Sequence, residues 1–166
     1  MCTANNRIIP LGLVTLSCAL TAPANADLLV QKSLSAAMAI EAAVVTIATC
    51  RANGFGVSVT VVGRNGEPLV QIRGDGTAPH TVENSFKKAY TSRTFRIPSG
   101  EMEERFKKNP AMGAVFLSNI TTSRGALPIA VGQEVIGAIG ASGAPGGDKD
   151  EACVKAGIDK IAGQLK

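Results

Sequence analysis

One histidine, His80, is available to the whole chain, so any chemistry that needs an imidazole must use it. A lone histidine cannot complete a zinc set of the His-x-x-x-His kind, and no paired cysteines or acidic metal loop accompany it. A Ser-His-Asp or Cys-His constellation would also have to be built on it. A neutral imidazole is what an axial ligand to haem iron must be, which makes His80 a candidate metal ligand. Phe86 and Tyr90 follow six and ten residues later and offer aromatic surface beside it. Arg73 precedes the loop that leads to His80 and Arg93 follows on the predicted helix, and either guanidinium suits a propionate carboxylate. Tyr90 and Met112 are the fallback ligands. A second chemistry shares the same helix: His80, Glu83 and Lys87 recur at helical spacing and supply acid–base groups for a small metabolite. The plainest alternative is that His80 helps to cap a helix or lines a subunit contact.

The elements that must position these residues can be read from pattern. Residues 33–52 predict an Ala-rich helix opening near Ser33 or Ser35 and ending at Asn53-Gly54. Val57–Val61 alternates as a half-buried strand does, and Asn65-Gly66 predicts a hairpin to Leu69–Arg73. Counting from that turn, Val61 faces Val70 and Val59 faces Ile72. Thr77 or Asp75 then caps a second helix, with Pro79 in its first turn, running to about Thr94. Lys87 and Lys88 fall on its outer face. A short charged helix spans Glu101–Lys108.

Gly132-Gln133 predicts a second, tight hairpin between two apolar runs. Centred there, Leu127, Ile129, Ile136 and Ala138 share one face, and Ala130, Val135, Ile139 and Ala141 the other. Gly137 and Gly140 within the strand mark close approach of a helix or another backbone. A last helix covers roughly 149–165. Strands arriving as hairpins predict an α+β fold, an antiparallel sheet with flanking helices.

Composition narrows the function. Arg7, an apolar run over residues 8–20 and Ala24-Asn25-Ala26 match a secretory signal peptide over residues 1–26. Residues 27–166 would then form a single periplasmic or secreted domain. Without Arg7, 16 basic residues stand against 13 acidic ones, too even and too scattered for a nucleic-acid partner. The absence of tryptophan argues against a base-stacking platform. Cys50 and Cys153 remain in the mature chain. An exported compartment permits a disulfide, and the simpler expectation is two buried small apolar residues.

Several pieces in order resemble the GlcG/HbpS-like family, which is related to the C-terminal domain of some corrinoid adenosyltransferases. They are Asn65-Gly66 with Pro68-Leu69-Val70, Arg73–Gly76 leading into Pro79, Lys88-Ala89-Tyr90-Thr91, Arg96, Leu127-Pro128-Ile129, Gly137–Gly143, Asp150–Cys153 and Ala156-Gly157. The resemblance implies a sheet of about five strands, the fifth near 114–117 or 118–122. It also implies haem capture, storage or degradation, sometimes linked to oxidative-stress sensing, and homo-oligomers, octamers among them. The haem slot is expected between the second helix and the strand Leu127–Val131, so that Leu127 joins His80, Phe86, Tyr90, Arg73 and Arg93 as a candidate binding residue. The alternatives are a hydroxy-acid or related metabolite enzyme without haem, and a module that meets a membrane sensor through Lys87, Lys88 and Arg105.

Overall fold

Both hairpins form, and they interlock into one sheet. The computed structural model describes residues 27–166, so the expected signal peptide lies outside the described residues. Strands β1 (Ser58–Val62) and β2 (Pro68–Arg73) make the first hairpin, β3 (Ala126–Val131) and β4 (Glu134–Ser142) the second. β1 and β4 pair in the middle, giving an antiparallel sheet of order β2-β1-β4-β3. Helix α1 (Ala36–Ala52) precedes it, α2 (His80–Phe95) and α3 (Gly100–Lys108) join the hairpins, and α4 (Gly147–Ile161) closes the chain.

The expected register Val59–Ile72 and Val61–Val70 is present. Turn geometry differs slightly: Gly66 N–H donates to the Gly63 carbonyl, and a bulge between Val61 and Val62 absorbs the extra residue. In the second hairpin Gly132 takes φ +60°, which the first central position of such a turn requires. There the expected faces need correction. Ile129 pairs with Gly137 and Ala130 with Val135, leaving Ile136 as a bulged residue. Beyond that bulge the alternation shifts by one. Leu127 therefore sits opposite Ile139, and both belong to the main core, while Ala138 turns to the other face.

The sheet is covered on both sides. Val59, Val61, Ile129, Ile139 and Ala141 pack under α1 and α4. Val62 and Ala138 meet Ala89 and Phe86 of α2 on the opposite face. β1 is thus buried along its whole length, not half-buried as its alternation suggested. Its polar positions are satisfied by α2. Thr81 and Ser85 hydroxyls donate to the carbonyls of Ala78 and Val82, and they accept from Ser58 and Thr60, each at 2.8 Å. Gly140 lets α2 come this close: a Cβ there would stand 2.6 Å from the Ser85 carbonyl oxygen.

The fifth strand is absent among the described residues. Gly113–Phe116 winds into a 3₁₀ turn, and Thr121 N–H donates to Thr91 Oγ1 of α2 rather than to a strand. Helix α1 opens as expected, with Ser35 accepting from Met38 N–H at 3.2 Å. It ends in a Schellman turn in which Phe55 N–H reaches the Cys50 carbonyl and Gly54 carries φ +81°. Helix α2, by contrast, has no side-chain cap, because the Thr77 hydroxyl is turned to the Gly74 carbonyl instead.

Cys50 of α1 and Cys153 of α4 are joined in a disulfide with Cα atoms 5.4 Å apart, which corrects the expectation of two separate buried thiols. It closes a sequence separation of 103 residues. Loop-closure entropy for a span of that size is on the order of 5 kcal/mol. The Cys50→Ser/Cys153→Ser double variant is expected to lose about 2–5 kcal/mol in equilibrium guanidinium unfolding and to become insensitive to reductant. A denaturation midpoint unchanged in the variant would show that helix packing alone holds α1 against α4.

Candidate functional site

A polar cavity of about 690 Å³ opens where the first turns of α2 and α4 meet the end of β4. His80, Thr81, Asn84 and Lys88 come to it from α2, Ser142 from β4, and Gly147 and Asp150 from α4. Glu103 of α3 and the loop residues Ser123 and Arg124 complete its wall. His80 is exposed on this wall at the first position of α2.

The floor is a buried ion pair. Lys88 Nζ lies 2.8 Å from Asp150 Oδ2, with the residues 3% and 2% exposed. Lys88 also donates to the Ala141 carbonyl at 3.0 Å, and Asp150 Oδ1 accepts from Ala144 N–H at 3.0 Å. Burial pushes the Asp150 carboxyl above the usual aspartate range, against the pull of Lys88 and of the Ala144 N–H. Gly125 faces the pair so closely that a Cβ there would sit 2.8 Å from Lys88 Nζ.

These residues were misread or missed in the sequence. Lys88 was expected on the outer face with Lys87 and Arg105, as part of a basic docking patch. It is buried instead, and Lys87 is engaged by Glu83 at 2.7 Å. The available signal was the 81-85-88-92 spacing, which places Lys88 on the same stripe as three hydroxyl residues that turn out to be buried. Asp150 reads in sequence as an acid at a helix start, and nothing local connects it to Lys88.

The other expected binding residues are not gathered around His80. Arg73 donates to the Thr77 carbonyl at 2.6 Å and lines a neighbouring hollow with Arg51, Phe55 and Asp75. Phe86 and Tyr90 stack obliquely with centroids 5.7 Å apart, and Tyr90 packs over Gly66 of the first hairpin. Thirteen residues along α2 put Arg93 about 20 Å from His80. Arg93 is half-buried, and burial together with the charges of Arg96 and Arg64 pushes its guanidinium pKa down. Leu127 packs into the α1–α4 core on the sheet face opposite α2, so the sheet itself separates it from His80 and Phe86. Met112 lies in the loop before the 3₁₀ turn.

This fold and its ordering of elements match known proteins. The family model of the haem degrading protein HbpS-like family covers residues 34–159. The chain belongs to that family. HbpS in its crystal structure is 31% identical, with 84% of this chain and 97% of that one aligned at a TM-score of 0.77. A double mutant of Streptomyces reticuli HbpS gives 30% identity, 86% and 97% coverage and the same TM-score. The Klebsiella pneumoniae protein ORFY, at 23% identity, 85% and 98% coverage and a TM-score of 0.76, shares the fold. No curated protein matches the chain in sequence.

The ion pair makes a direct prediction. Lys88→Met leaves Asp150 buried without a counter-ion and is expected to cost about 3–5 kcal/mol in urea unfolding. Lys88→Met/Asp150→Asn, which removes both charges, should regain a large part of that loss. The raised Asp150 pKa sets the sign with pH. Its contribution to stability is full below the ordinary aspartate range and is lost as pH rises through the native value. The double variant should lack this decline. Equal losses in the single and double variants would contradict the pairing.

Proposed function

We propose that the protein is an exported haem-binding protein in which the His80 imidazole is an axial ligand to the iron. The observation that carries this reading is that the chain's one histidine stands exposed on a cavity wall instead of being spent inside the core. Membership of a haem-degrading family supports it, as does the fold shared with PduOC, which was crystallised as a haem complex (TM-score 0.71, 20% identity).

The residues fit the group. His80 offers a nitrogen lone pair without displacing a packed side chain. A separate hollow of about 420 Å³, lined by Pro68, Gln71, Pro79, Val82, Glu83 and Phe86, lies along the first turns of the same helix, and its proline, valine and phenylalanine side chains offer apolar surface to one face of a porphyrin ring. Haem, when bound, supplies the redox-active iron; the chain supplies the ligand, the apolar wall and a nearby polar cavity for the ring's charged edge. Tyr90, Arg93, Arg73 and Leu127 are too dispersed to share that surface.

Export rests on the leader-like residues 1–26 and on the Cys50–Cys153 disulfide, a bond that persists in oxidising compartments. Homo-oligomer formation is favoured by Ile40 and Val44 of α1, which are 48% and 52% exposed beside the apolar hollow of Ile47, Ala48 and Ile72. The proposal extends to a link with oxidative-stress sensing through a membrane sensor partner, on the family resemblance alone.

Titration of the purified protein with hemin is expected to give a saturable Soret band. His80→Ala should shift that band and weaken binding by about tenfold or more, the loss of one strong ligand interaction. An identical spectrum and affinity in the variant would remove His80 from the site. Absence of any saturable spectrum would remove haem.

A further inference from the structure

We propose that the polar cavity beside His80 is a carboxylate-binding site whose recognition element is Arg124. Arg124 sits at the entry to β3, with its side chain half exposed on the cavity wall. The starts of two helices grip it. A Cβ on Gly100 would come 2.5 Å from Arg124 Nε, and one on Gly147 would come 2.5 Å from the Arg124 carbonyl oxygen. The stem is therefore held while the guanidinium is left without a hydrogen bond among the described residues. Glu151 Oε2 lies 4.0 Å from Arg124 Nε, within ion-pair range but beyond hydrogen-bond reach, and burial raises the Glu151 pKa against the pull of Arg124.

The other charges of the cavity are already matched. Lys88 is paired with Asp150, and Glu103 is held by Lys107 at 2.9 Å. Arg124, with Glu151 only at ion-pair distance, is thus the cation whose fork makes no hydrogen bond among the described residues. The same cavity is lined by the Ser123 hydroxyl, by the Asn84 amide, which donates to Ser142 Oγ at 2.9 Å, and by the start of α2, which carries no side-chain cap. An arginine fork binds a carboxylate through two parallel hydrogen bonds, and helix starts favour a negative charge. These polar walls suit a carboxylate, whereas the apolar plate of a porphyrin is served by the separate hollow of Pro79, Val82 and Phe86.

Two sources carry this chemistry, a haem propionate and a free small carboxylate. The propionate source rests on the haem reading; the free carboxylate does not. Calorimetric titrations of the full protein with succinate, with hemin and with hemin dimethyl ester separate them, run on wild type, Arg124→Gln and Ser123→Glu. Ser123→Glu leaves Arg124 and its packing in place and puts a competing carboxylate on the wall, so it holds the test open if Arg124→Gln disturbs the fold; thermal melts report that. Hemin binding weakened about tenfold in both variants, with the dimethyl ester unaffected, supports a propionate site. Saturable succinate binding, weakened about tenfold in both variants, supports a free carboxylate, even if hemin does not bind at all. Wild-type affinity for hemin in folded variants, together with no succinate binding, overturns the proposal. Should hemin binding then still depend on His80, the haem reading survives alone.

Discussion

The Lys88–Asp150 ion pair is the interaction on which the rest of the arrangement depends. Helix α2 covers one face of the sheet and α4 the other, and the sheet keeps them apart except at the end of β4. There the two side chains meet, 2.8 Å apart, with the Ala141 carbonyl and the Ala144 N–H completing their hydrogen bonds. Desolvating two charges costs several kcal/mol for each ion, so such a pair adds little net stability over apolar side chains of similar size. Its effect is positional. Breaking it would strand a charge, which ties the start of α4 to the middle of α2 and thereby fixes the cavity walls. Gly125 serves the same constraint by leaving room for the ammonium group.

Much of the frame was legible because local signals and hydrophobic alternation agreed. Asn65-Gly66 and the Val59, Val61, Val70 and Ile72 pattern point to one register, and the pairing follows it. The second hairpin was legible in its turn but not beyond Ile136, since a bulge inside an all-apolar strand leaves no polar residue to betray the shift. A fifth strand was expected from family resemblance and not from any alternating run, and that segment forms a 3₁₀ turn. The disulfide depends on two helices crossing, a distance no sequence states.

The site was harder to read because its decisive groups are polar and buried. A helix face of Thr81, Ser85, Lys88 and Ser92 looks solvated by composition; it is buried because β1 presents Ser58 and Thr60 to meet it. His80 stood out by being alone. Arg124 did not, since its setting is made by Gly100 and Gly147 from helices far apart in sequence. Family membership explains the frame and directs attention to haem, whereas ligand identity belongs to the cavity and the exposed imidazole.

Because the chain holds a single histidine, selective ¹⁵N-histidine labelling reports on His80 alone. Pulsed electron paramagnetic resonance of the ferric haem complex, in labelled and unlabelled untagged protein, therefore tests the central claim most directly. The account predicts an imidazole nitrogen coupling that changes with the isotope. A ferric haem complex whose nitrogen couplings are the same in both samples would contradict it.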